Sequence, residues 1–76
     1  MQLRQGIMLQ VKDNRSLMLF KHKNNLPVGL SAKDRLEQRD IILVLYKATQ
    51  GWWHICALGS QYLVRGNLLH ANTHEP

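Results

Sequence analysis

The hydrophobic pattern of this chain has a period of two residues for most of its length. Ile7, Leu9 and Val11 alternate with polar neighbours, so Gln5–Lys12 is expected to be a half-buried strand. Asp13-Asn14 supplies turn residues, and Ser16–His22 is expected to return as the second strand of a hairpin. Its run Leu17-Met18-Leu19-Phe20 implies burial on both faces. Lys23–Lys33 reads as a loop, because Asn24-Asn25 and Gly29 favour turns and Pro27 cannot donate to a ladder. Ala32–Arg39 is expected to form one helical turn capped by Ser31. Asp40–Lys47 is the strongest strand signal, apolar on both faces from Ile41 to Leu45. Gln50-Gly51 then turns the chain into Trp52–Leu58, and Gly59-Ser60 turns it into Tyr62–Arg65. A short turn at Gly66–Leu69, a last strand near His70-Ala71 and a frayed tail at Asn72–Pro76 complete the expectation. Short strands at this spacing predict an all-β small barrel or sandwich. The predicted core is Ile7, Leu9, Leu17, Leu19, Leu36, Ile42, Val44, Ile55, Val64 and Leu69.

Length and composition narrow the classes. Seventy-six residues are enough for one small domain and too few to enclose an elaborate active site. A hydrophobic fraction of 45% argues for a folded chain. No apolar run reaches the ~18 residues of a membrane span. The N-terminus lacks an apolar segment followed by a small-residue cleavage site, so no signal peptide is expected. Cys56 has no cysteine to pair with, which suits a reducing compartment and a cytoplasmic location. Ten Lys and Arg against five Asp and Glu give a net charge of +5. That surplus favours an acidic partner, whether nucleic acid or an acidic protein surface.

Ile42-Leu43-Val44, Gln50-Gly51-Trp52-Trp53, Gly59-Ser60 and Leu63-Val64-Arg65-Gly66-Asn67-Leu68 resemble the central part of an SH3 domain. There an apolar strand leads to Gly/Asp-Trp-Trp, a tight distal turn, a strand and a Pro-Ser-Asn-Tyr segment. Arg35–Ala57 aligns to that family without a gap, and bacterial SH3-like domains are similar as well. The resemblance covers about half the chain. It implies one SH3-like domain over 1–76, a barrel of about five strands. Residues 1–15 would be an extra N-terminal strand or hairpin, and 72–76 the tail. It also implies that Trp52 is an exposed platform with Arg65 beside it, and that Asn67 carries over.

The departures from the family change the expected ligand. Leu19, Phe20 or Lys21, then Arg65 and Leu68, stand where SH3 domains grip polyproline with aromatics, a proline and a tyrosine. The usually acidic loop here holds Lys21, Lys23, Lys33, Arg35 and Arg39 against Asp34 and Glu37. Basic PxxP peptides are therefore not expected as ligands. Arg39 occupies the place of a turn glycine.

The candidate binding set is Trp52, Arg65, Lys21, Lys23, Lys33, Arg35, Arg39, Asn67 and His54, the last expected to face solvent. A surface Trp can stack a base and an Arg can pair a phosphate. His70 and His74 share a four-residue spacing but have no ligand cluster beside them, so no metal or cofactor is expected. No nucleophile with a base, phosphate loop or paired carboxylates stands out, and no catalysis is expected. The sequence points to a non-catalytic binding module for nucleic acid. The alternative is a protein-interaction module for an acidic surface or peptide, or one that self-associates.

Overall fold

The computed structural model describes residues 2–76 and, within them, the side chains of all but residues 30–34. Among the described residues, seven strands and one helix follow in chain order: β1 (Met8–Val11), β2 (Leu17–Lys23), β3 (Leu26–Leu36), β4 (Ile41–Lys47), β5 (Trp52–Ala57), β6 (Ser60–Arg65), α1 (Gly66–Asn72) and β7 (Thr73–His74). All strand pairs are antiparallel, in one sheet ordered β3-β2-β6-β5-β4-β1-β7. The all-β expectation holds, and the sheet is open, with β3 and β7 at its edges.

Although open, the sheet cannot be flat. β3 and β4 stand four places apart in it, which is ~19 Å at the usual strand spacing. Yet only residues 37–40 join them, and these form a turn. Glu37 N donates to Asp40 Oδ2 at 2.8 Å and Asp40 N donates to Glu37 O at 3.1 Å. The sheet must therefore curl until the hairpin β2–β3 comes round towards β1 and β4. Arg39 N donating to Val11 O at 2.9 Å marks where it arrives. The inner face of the curl is the core, and all ten predicted core residues lie in it. Val11, Ala57 and Tyr62 join them, with Leu3, Trp53 and Leu68 packed against the cluster.

Four local expectations are corrected. β1 does not form a hairpin with β2: it pairs with β4 (Leu9↔Ile42) and β7 (Val11↔Thr73), putting Leu9 and Ile42 on one apolar face. The stretch read as a loop and a helical turn is strand β3, because Asn24 and Asn25 (φ +53° and +64°) make a two-residue turn. Positive φ at both central positions matches the right-handed twist of a hairpin, and Asn tolerates it. The segment after β6 is a seven-residue helix. The tail expected to fray is tied down instead. Thr73 is buried, its hydroxyl donates to Leu69 O, and β7 pairs with β1.

The β5–β6 turn is Leu58-Gly59 (φ +52° and +76°), one residue earlier than the sequence suggested. A left-handed, exposed leucine is strained and packs little, so Leu58→Asn should stabilise the protein by up to ~1 kcal/mol. Ile42→Ala should cost ~2–4 kcal/mol, since Ile42 is fully buried in the inner core. Thermal melts of the two variants should shift in opposite directions.

Candidate functional site

The outer face of the sheet carries its own side-chain cluster. Along β5, Trp53, Ile55 and Ala57 point inward, so Trp52, His54 and Cys56 point outward. On β6 the outward residues are Gln61, Leu63 and Arg65. A bulge after Val44 turns Tyr46 outward opposite His54. On β2 they are Phe20 and His22, with Phe20 opposite Leu63. Leu63 is fully buried although it lies outside the main core, because its cross-strand partners Phe20 and His54 flank it.

Trp52 and Arg65 are direct cross-strand partners. The Arg65 guanidinium lies 4.6 Å above the centre of the Trp52 ring, and Phe20 meets that ring edge-on at 5.0 Å and 80°. These two neighbours leave Trp52 only 8% exposed. The expectation of an exposed platform is thus corrected: Trp52 is a pedestal and the exposed group is Arg65. The SH3 resemblance set Leu19, Phe20 or Lys21 beside Trp52 as the flank of an open groove, whereas Phe20 closes against the ring. The ion pairs among the described residues are Arg4–Glu75 at 4.0 Å and Arg39–Asp13 at 3.4 Å, so Arg65 has no carboxylate partner there.

His54 also departs from expectation. It is 1% exposed, and both ring nitrogens are bonded. Gln61 Nε2 donates to Nδ1 at 2.8 Å, which places the ring proton on Nε2, whence it is donated to Asn25 Oδ1 at 2.8 Å. Gln61 Nε2 also donates to Tyr46 Oη at 3.2 Å. Burial lowers the His54 pKa, and the nearby His22 lowers it further.

Apart from Arg65, the described basic residues are spread over several elements. Lys21 and Lys23 are exposed but alternate with Phe20 and His22, so they face the other side of β2. Arg35 is exposed on β3 opposite Met18. Arg39 (φ +72°) sits in the turn before β4. Some ~20 Å of strand separate it from the end of β4 that pairs with Trp53. Asn67 is exposed on the first turn of α1. The side chain of Lys33 lies outside the described residues. Gln61, Asn25 and Tyr46 went unnoticed in the sequence, and Phe20 was set near Trp52 only through the SH3 resemblance. Cross-strand pairing from the Leu58-Gly59 turn would have brought Gln61 to Cys56, next to His54.

A separate open depression of about 450 Å³ is lined by Lys12, His70, Thr73, His74 and Glu75. Lys12 Nζ is engaged there, donating to Ala71 O at 3.3 Å. No metal-ligating group of three or more side chains occurs among the described residues. None of their helices is long and apolar enough to cross a membrane. No family model matches the chain, and no curated protein or solved structure is significantly similar to it.

Trp52 and Arg65 should respond differently to truncation. Trp52→Ala removes a nearly buried indole and should cost ~3–5 kcal/mol. Arg65→Ala removes a cation from the surface of that ring and should cost only ~0.5–1 kcal/mol. Denaturant melts of both variants measure the contrast; equal losses would mean that Arg65 also carries structural weight.

Proposed function

We infer that this chain is a small non-catalytic binding module with an SH3-like barrel architecture, and that its partner is acidic, with nucleic acid as the leading class. One observation carries this reading. Arg65 is held over Trp52 at 4.6 Å with no carboxylate partner among the described residues, in a chain of net charge +5. Stacking on the indole restrains the guanidinium, so less freedom is lost when its planar fork meets a phosphate. Binding in this reading is phosphate contact by Arg65, supplemented by the dispersed surface cations, rather than base stacking on Trp52. Basic polyproline peptides remain unsuitable ligands, because Arg65 repels their cations. The lone Cys56 fits a reducing, cytoplasmic setting.

A second reading has its own observation. Met8 and Leu43 are cross-strand partners on the outer face, exposed at 51% and 38%, with exposed Ile41 two residues along β4. An uncharged apolar row of this kind suits a protein partner or a second copy of the chain.

A gel-shift titration with duplex DNA, single-stranded DNA and RNA at two salt concentrations separates the readings. On duplex DNA, log affinity should fall with log salt by ~0.9 per phosphate neutralised. Arg65→Ala should lower that slope by about one unit. If none of the three nucleic acids shifts at low salt, the nucleic-acid reading is rejected. Sedimentation of the protein with and without Leu43→Glu then tests self-association.

A further inference from the structure

His54 lies where four elements meet. Its ring is tilted against Tyr46 of β4 at 4.5 Å and edge-on to His22 of β2 at 4.9 Å. Its nitrogens reach Asn25 in the β2–β3 turn and Gln61 of β6. The titratable groups facing it are His22 from β2, Tyr46 from β4 and, two residues along its own strand, Cys56. β6 contributes neutral Gln61 and Leu63 and, two residues further along the same face, the Arg65 cation over Trp52, and the hairpin turn contributes neutral Asn25. No carboxylate among the described residues is bonded to the ring.

This surrounding fits only the neutral imidazole. A proton on Nδ1 turns an acceptor into a donor and sets it against the Gln61 amide hydrogens. It also buries a cation beside His22, and a buried cation without a counter-charge must find water. The ladders β4–β5 and β5–β6 hold two sides of the ring through several consecutive register pairs. The cover supplied by His22 and Asn25 is joined less firmly, because β2 meets β6 at the single register pair Phe20↔Leu63. Beyond Phe20, the hairpin tip meets the sheet in the contacts of His22 and Asn25 with His54.

We propose that the Asn25–His54–Gln61 bridge is a proton-sensitive latch: one proton added to His54 lifts the tip of the β2–β3 hairpin from the outer face of the sheet. The direction follows from linkage. The folded His54 binds its proton more weakly than the unfolded chain does. Stability is therefore complete above the ordinary value of 6.5 and declines as pH falls below it, levelling off beneath the lowered folded value. The latch is closed at neutral pH and opens on acidification. It does not depend on what the module binds.

An NMR pH titration of the whole chain tests this, following the His54 ring carbons together with nuclear Overhauser contacts from Asn25 and His22 to His54. In the wild type these contacts should be lost as the ring takes up its proton, at a midpoint below 6.5. Gln61→Glu sets a carboxylate against Nδ1, so His54 should protonate at a higher pH with the contacts kept. In His54→Phe, the contacts from the hairpin to the substituted ring should persist throughout acidification. If that variant does not fold, the wild type and Gln61→Glu decide. Contacts that persist in the wild type after His54 is protonated overturn the latch. So does acid release that is unchanged in His54→Phe, which would assign it to His22.

Discussion

The short link between β3 and β4 governs the architecture. Four residues folded into a turn cannot reach across four strand spacings, so the sheet has to curl. Curling gives every strand an inside and an outside. Leu36, at the end of β3, is thereby delivered into the same core as Ile42, only six residues later in the chain. In so short a chain this is an economical route to a single enclosed core, since each long strand contributes to it. Arg39 is the local cost. It holds a left-handed backbone where a glycine would be unstrained, and its side chain reaches back to Asp13.

The two faces of the curl differ in kind. Inside, aliphatic side chains together with Tyr62 and Trp53 fill the space. Outside, one buried polar ring stands among aromatic and amide groups, and every polar side-chain atom buried among the described residues has a partner. A network of this type fixes geometry through direction rather than volume. It also makes the outer face responsive to chemistry in a way that the aliphatic interior is not. The Trp52–Arg65 pair is the exposed margin of the same face, two residues along β6 from Leu63 on its outward side.

The inner face was legible in the sequence because a period-two pattern names the buried residues whichever strands pair. Leu9 and Ile42 would each read as core in many topologies. Pairing itself was not legible from that pattern, and β1 was assigned the wrong neighbour. Asp13-Asn14 looks like a hairpin turn, whereas Asn24-Asn25 is the one whose two left-handed residues make it so. The outer face suffered most, since exposure there depends on which strand lies alongside. Trp52 and His54 alternate as exposed residues would, and the arrival of β2 completes a cover to which Arg65 and Tyr46 also contribute. The juxtaposition of Trp52 with Arg65 rests on the two-residue turn at Leu58-Gly59, six pairs away. The Gly59-Ser60 turn read from the sequence would have set Arg65 opposite His54, and only the SH3 resemblance put it beside Trp52.

That turn is tolerant of one kind of change and intolerant of another. Leu58 and Gly59 are exposed, so little in the packing depends on what side chains they carry. Their number is another matter. A single inserted residue taken up by slipping β5 one place would exchange its two faces, sending Trp52 and His54 towards the aliphatic interior and Ile55 outward. Over generations, this loop should therefore exchange residues that accept a left-handed backbone, such as Gly and Asn, while rejecting insertions, unlike most surface loops, which absorb both.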